Sequence, residues 1–308
     1  MNLKKPKFWD YQNPNIISYL LLPITFLVKA VGAFVKTSEP KKFEIKTICV
    51  GNFYIGGTGK TSLSIKINEI LTERKIKSCF IKKFYKNQID EQKLLEKKGK
   101  LFLSTSRVNA INEAEKENFE VAILDDGLQD KSINYDTSFV CFNNINWIGN
   151  GMTIPSGPLR ENIKNLKFYD HVFLNGNLEN IENLKEIIYE INSKIIIHIG
   201  IYEPINLNEF KKENKYLVFS GIGNHKTFVS MLKNNGLKIL KDLEFPDHYE
   251  YNHKDLNKIL NKAKDLNCEI ITTEKDYFRI ENKNIKKIKY IKSNLRIVDE
   301  EKLIKSII

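Results

Sequence analysis

The chain has 308 residues, with 49 Lys and Arg against 38 Asp and Glu, a formal net charge of +11. An apolar content of 42% excludes global disorder, and a mean hydropathy of −0.36 excludes a multi-span membrane protein. The length allows about two domains with cores of their own, and the positive balance points to an anionic partner: nucleic acid, a phosphorylated ligand or an acidic membrane surface.

In chain order, the first element is apolar. Residues 16–35 read IISYLLLPITFLVKAVGAFV, with Lys29 as the one charge and Pro23 as an interruption. The run is borderline for a hydrocarbon core of about 30 Å. It lacks the small-residue cleavage pattern of a signal peptide. A helix in the membrane interface, flanked by Trp9, Tyr11, Tyr19 and the cluster Lys4, Lys5 and Lys7, is the expected arrangement. A buried core helix is the alternative, and a spanning helix is disfavoured by Lys29 and Pro23.

Strand and helix patterns then alternate. Strands are expected at Lys46–Val50, Ser78–Ile81, Val121–Leu124 and Ser138–Phe142, with helices near Thr61–Arg74 and Val108–Asn118. The alternation resumes with strands at His171–Leu174, Lys194–Ile199, Tyr216–Ser220, Glu269–Thr273 and Lys289–Ile291. Helices are expected near Ile181–Ile191, Lys226–Asn234 and Glu300–Ile307. This alternation predicts α/β architecture with a parallel sheet, preceded by the N-terminal membrane-interface helix. The expected division is 1–40 for the apolar segment, 41–170 for a phosphate-binding domain and 171–308 for the smaller domain. Cys49, Cys79, Cys141 and Cys268 are widely spaced and read as free thiols of a reducing compartment.

Three motifs carry chemistry. Gly56-Gly57-Thr58-Gly59-Lys60-Thr61 follows a strand and opens a helix, the context of a phosphate-binding loop. Small residues admit phosphate oxygens to backbone N–H groups at a helix N-terminus; Lys60 can reach terminal phosphates, and the Thr61 hydroxyl can ligate Mg²⁺. The strict pattern wants Gly where this chain has Tyr54. Asp125-Asp126-Gly127 closes an apolar strand, where an acid can hold Mg²⁺ beside such a loop; alone it would read as a solvated acidic turn. Pro155-Ser156-Gly157-Pro158-Leu159-Arg160-Glu161 presents Arg160 on a stiff loop, suited to an anionic group, although plain turn chemistry would read the same.

These pieces together resemble the tetraacyldisaccharide 4'-kinases. The matching segments are PKFW with the apolar run, VGNFYIGGTGKT, LDDGLQ, IPSGPLRE, SGIGN, FPDH and TTEKD, spanning roughly residues 6 to 280. The Tyr54 deviation is shared with that family, whose first loop Gly lies in the VGN segment. The resemblance implies transfer of the γ-phosphoryl of ATP to the 4'-hydroxyl of a tetraacylated disaccharide 1-phosphate, a precursor of lipid A, with Mg²⁺. It implies a P-loop NTPase-type parallel sheet with a second, smaller α/β domain, and attachment to the cytoplasmic face of the inner membrane, peripheral or monotopic. Residue by residue, Gly56–Thr61 match the ATP phosphate loop, and Asp125 and Asp126 match the family's DDG acids. His248 matches the His that partners a catalytic Asp, for which Asp90, in Gln88-Ile89-Asp90-Glu91-Gln92, is the best candidate. Asp90 is then the expected base and His248 its support.

There are departures. Lys82-Lys83-Phe84-Tyr85-Lys86 stands where the family has Ser-Arg-Gly-Tyr-Gly, and Asp130 replaces the family His after the DDG acids. Glu274-Lys275-Asp276 reads as a solvated helix start. Two other function classes compete. A P-loop ATPase on the same scaffold would hydrolyse ATP without lipid stimulation. A nucleic-acid binder is not expected, because the basic residues are dispersed and no zinc-finger or RNP-like motif occurs.

Overall fold

The computed structural model describes residues 5–34, 39–85, 89–247, 249–280 and 287–308, with the backbone alone at 32–34, 89 and 90. The strands are β1 (Lys46–Gly51), β2 (Ser78–Lys83), β3 (Leu101–Ser104), β4 (Val121–Asp125), β5 (Thr137–Asn143), β6 (His171–Gly176), β7 (Ile196–Pro204), β8 (Lys215–Ser220), β9 (Lys238–Glu244), β10 (Glu269–Thr273), β11 (Ile288–Ile291) and β12 (Ser293–Ile297). The α-helices are α1 (Ile16–Leu20), α2 (Leu22–Phe34), α3 (Lys60–Glu73), α4 (Ile89–Lys98), α5 (Arg107–Lys116), α6 (Ile181–Ile191), α7 (His225–Asn234), α8 (His253–Asp265), α9 (Glu274–Arg279) and α10 (Glu300–Ile307).

An eight-stranded sheet has the order β12-β7-β6-β5-β1-β4-β2-β3, and its central pairs are parallel. Parallel strands covered by helices on both faces must be apolar throughout. KTICV, VAIL and SFVCF meet that demand, and β1, β4 and β5 are almost entirely buried. A second sheet, β11-β10-β8-β9, is wholly parallel and carries a core on each face, one around Tyr216, Val218 and Leu232, the other around Phe219, Leu256 and Ile259.

The described chain divides into two compact units. The larger holds residues 5–175, 180–200 and 297–308; the smaller holds 176–179 and 201–296. The larger unit therefore takes in residues that the sequence division at 170/171 gives to the second domain. The reason lies in pairing: β6 continues the large sheet from Phe139↔His171 to Asn143↔Asn175. Helix α6 buries Ile181, Leu184 and Ile188 in the same core. Helix α10 is tied back through Glu300, 2.7 Å from Lys66.

The N-terminal segment is polar inside and apolar outside. The run bends at Leu21, just ahead of Pro23, giving α1 and α2. Ser18 and Thr25 are buried, whereas Ile16, Leu20, Phe26, Leu27 and Val31 are exposed. That inversion rules out the buried core helix. No helix among the described residues is long and apolar enough to cross a membrane.

Cys49, Cys79 and Cys141 are buried free thiols, and burial pushes the Cys79 thiol up to about 12. Cys268 is partly exposed.

His171 stacks on Phe139 with ring centroids 4.6 Å apart, and its Nδ1 lies 3.2 Å from His198 Nε2. Burial lowers His171 from 6.5 to about 4 and His198 to about 3. Both folded-state values lie below the unfolded one, so the unfolded chain binds more protons in this window. Stability is complete above about pH 6.5 and falls as pH drops toward 4, by up to about 1.4 kcal/mol per pH unit for each histidine. Thermal melting from pH 7 to pH 4 should show that slope, and replacing both with Phe should flatten it.

Candidate active site

The phosphate-loop motif leaves the C-terminal end of β1 and enters α3. Gly59 takes φ +79° at the helix N-cap, a conformation that glycine adopts without strain. Asn52 shapes the loop from within: its Nδ2 donates to Tyr54 O at 2.6 Å and Thr58 Oγ1 at 2.8 Å. Asn175, at the end of β6, donates to Thr58 O at 2.7 Å. The α3 N-terminus thus offers N–H donors and its positive dipole end beside Lys60. Tyr54 explains the departure from the strict motif. It is buried, its hydroxyl meets Asp10 and lies 2.7 Å from Lys5 Nζ, and it braces the N-terminal segment against the loop.

The parallel pairing of β1 with β4 sets Val50 opposite Asp125. Asp125 is fully buried and accepts from Lys82 at 2.6 Å, Ser64 at 3.3 Å and Thr61 at 3.3 Å. Asp126 takes φ +60° and has a different set of partners: Arg160 Nη1 at 2.7 Å and Lys60 Nζ at 3.8 Å. Burial would raise the Asp126 carboxyl, but Lys60 and Arg160 outweigh it and hold it well below the usual carboxylate range. For Lys82, burial pulls the ammonium down, and the Asp125 and Glu91 carboxylates more than reverse this. Breaking a buried pair of this kind costs about 3–5 kcal/mol, because the remaining charge is left uncompensated.

The 155–161 segment is a structural part of this site. Ile55 N donates to Pro158 O at 2.9 Å, and Arg160 N to Phe53 O at 2.6 Å. The Ile154-Pro155 bond is cis. The Arg160 guanidinium reaches both Asp126 and Gln129 Oε1, the latter at 3.0 Å. The buried polar atoms of α1 and α2 serve the same loop. Thr25 Oγ1 and Ser156 Oγ are 2.7 Å apart, Asn150 Nδ2 donates to Ser18 Oγ at 2.9 Å, and the Trp9 indole donates to Pro155 O at 3.1 Å.

In this way Lys60, Thr61, Asp125, Asp126 and Arg160 come together at one end of the large sheet. The structure adds residues that sequence reading passed over. Arg107 donates to Asp126 O at 2.6 Å and pairs with Asp130 at 3.2 Å. Asp130 also accepts from Ser132 Oγ, and although burial opposes ionisation, Ser132 and Arg107 hold its carboxyl below the ordinary value. Lys82 and Glu91, which the sequence offers only as part of a departure from the family pattern and as the neighbour of Asp90, take on a role through their ion pair; a lysine inside the apolar run SCFIK was the available signal. The side chain of Asp90 and the whole of His248 lie outside the described residues.

In the smaller unit, Asp276 is fully buried, which corrects the solvated reading of TTEKD. Its carboxylate accepts from Gly221 N and Tyr251 OH at 3.0 Å and from Thr273 Oγ1 at 2.6 Å. Arg279 donates to Gly221 O at 2.8 Å. The SGIGN and TTEKD motifs are therefore bolted together, with the aromatic segment after the FPDH motif packed on them.

No group of three or more His, Cys, Asp or Glu among the described residues could hold a metal ion. The hard oxygens of Thr61 and Asp125 do suit Mg²⁺, which is normally bound through one or two protein groups together with substrate phosphates.

A family model described as tetraacyldisaccharide-1-P 4'-kinase matches residues 17–308. The chain belongs to the tetraacyldisaccharide 4'-kinase family. The tetraacyldisaccharide 4'-kinase of Pelagibacter ubique (strain HTCC1062) is 60% identical over 311 residues, covering 100% of this chain and 98% of its own length. The one from Rickettsia canadensis (strain McKiel) is 34% identical over 92% of this chain and 90% of its own. Among solved structures, LpxK from Aquifex aeolicus in complex with ATP superposes with a TM-score of 0.66. It covers 95% of this chain and 98% of its own at 23% identity, a likeness of fold. In this member of the 4'-kinase family the loop of residues 155–161 tolerates little. A Cβ on Gly157 would stand 2.1 Å from Asn150 Oδ1 and 2.5 Å from Met152 O. Gly157→Ala should therefore lower stability by about 1–3 kcal/mol in denaturant unfolding.

Proposed function

We propose that this protein transfers the γ-phosphoryl group of ATP to the 4'-hydroxyl of a tetraacylated disaccharide 1-phosphate, a step of lipid A biosynthesis, at the cytoplasmic face of the inner membrane. Membership of the 4'-kinase family supports the activity. The observation that carries the site is the convergence of Lys60, Asp125, Asp126 and Arg160 beside the Gly56–Thr61 loop.

Phosphoryl transfer asks for positioning and charge neutralisation more than covalent chemistry. The N–H groups of Gly57 to Thr61 and the Lys60 ammonium receive the ATP phosphates. Asp126 holds the cations Lys60 and Arg160 in place beforehand, so little reorganisation accompanies binding. Thr61 and Asp125 would hold Mg²⁺, which when bound neutralises phosphate charge. Arg160 faces an anionic group of nucleotide or lipid. Asp90 accepts the proton of the sugar hydroxyl, and His248 supports that acid–base step. The exposed apolar side chains of α1 and α2 enter the interface of the membrane that holds the lipid substrate.

With γ-labelled ATP and the tetraacylated disaccharide 1-phosphate, label should pass to the lipid. Lys60→Ala should reduce that transfer at least about a hundredfold. Lipid-independent hydrolysis by the wild type would instead favour a P-loop ATPase. His248→Ala should cut kcat by about 10²–10⁴-fold, the scale of acid–base catalysis, and full activity would remove it from the mechanism.

Membrane attachment is tested by point substitution, because truncation would also remove the Ser18 and Thr25 contacts to residues 150–156. Changing Leu20, Phe26 and Leu27 to Ser should abolish co-sedimentation with anionic phospholipid vesicles and leave ATP binding intact.

A further inference from the structure

We propose that Lys82 is a positioning residue that competes with Mg²⁺ for Asp125 and tethers the helix bearing Asp90. This rests on reading the site as a Mg²⁺-dependent kinase centre. Lys82 sits on β2, beside β4 in the register Ile81↔Leu124, and its side chain is only 2% exposed. One ammonium serves two carboxylates: Asp125 Oδ2 at 2.6 Å and Glu91 Oε2 at 2.9 Å. Asp125 belongs to the strand that flanks the phosphate loop, and Glu91 follows Asp90 in the first turn of α4. The ammonium thus links the element that carries the metal acid to the element that carries the base.

A buried lysine between two acids is a poor device for stability alone. Apolar residues of similar volume often do as well in such positions. Its placement has a chemical consequence instead. Thr61 Oγ1, the other oxygen suited to Mg²⁺, lies 3.3 Å from the same Asp125 Oδ2 that Lys82 holds. A divalent cation drawn to Thr61 and Asp125 meets a carboxylate already neutralised by a resident cation. Lys82 thereby weakens the site's grip on Mg²⁺ and in exchange holds Asp125 in one orientation.

Two substitutions push the balance in opposite directions. Lys82→Met removes the competitor. Glu91→Gln leaves the ammonium wholly to Asp125. The readout is a Mg²⁺ titration of binding of a fluorescent, non-hydrolysable ATP analogue, with thermal melting as the control for folding. The Mg²⁺ midpoint should fall in Lys82→Met, on the order of tenfold, the scale on which groups behind a metal ligand tune affinity. It should rise in Glu91→Gln. In both variants kcat for lipid phosphorylation should fall while KM for ATP at saturating Mg²⁺ holds. A merely structural lysine would lower the melting temperature and leave the midpoint in place. An unchanged or raised midpoint in folded Lys82→Met overturns the proposal. Should that variant fail to fold, an unchanged or lowered midpoint in Glu91→Gln does so. Failure of the kinase reading would show separately, as a wild type without lipid-dependent transfer, while the binding titration still decides the role of Lys82.

Discussion

The in-register pairing of β1 with β4 sets Asp125 against the end of the phosphate-loop strand, and the rest of the site depends on it. A carboxylate buried there cannot stand alone, because an uncompensated charge in a low-dielectric interior is expensive. Lys82 reaches it from β2, and Thr61 and Ser64 reach it from α3. The next residue leaves the strand in a left-handed conformation and meets a separate pair of cations, Lys60 and Arg160. Two adjacent acids therefore have two partner sets, and both sets lie where an anionic ligand and its metal would be needed.

The same loop organises the N-terminal segment. Most of its apolar side chains are exposed, while Ser18 and Thr25 are buried against residues 150–156. Ordinary soluble helices do the reverse, and exposed apolar surface of this kind marks an interaction site. Trp9 and Thr25 contact the loop that presents Arg160, and Ser18 contacts Asn150 ahead of it. The proposed membrane attachment and the geometry of the segment that carries Arg160 would thus be coupled through a few hydrogen bonds.

Much of this was legible in the sequence. Central strands are continuous apolar runs, so β1, β4, β5 and β10 are legible, and so are helices α6 and α10. The elements passed over are those in which charge masks the pattern. Strand β9, KILKDLE, is an edge strand with most side chains in water, and β3 is a four-residue edge. Helix α4 is rich in Lys and Glu. Helix α8 was readable after all, since Asn252 and Asp255 form a capping box. Within the site, the phosphate loop, the acid pair and Arg160 announce themselves by motif. Lys82, Arg107 and Asn175 do not, because their roles arise only when strands distant in sequence become neighbours. Asp276 misled for the same reason: a helix-start acid reads as solvated until the SGIGN turn and Tyr251 close over it.

The most direct measurement is the ³¹P NMR spectrum of the products formed from ATP, Mg²⁺ and the tetraacylated disaccharide 1-phosphate on lipid vesicles. One new phosphomonoester on the distal sugar, at the 4'-oxygen and equimolar with ADP, is expected. Inorganic phosphate as the sole new signal, with the lipid unchanged, would contradict the assignment of this site to a 4'-kinase.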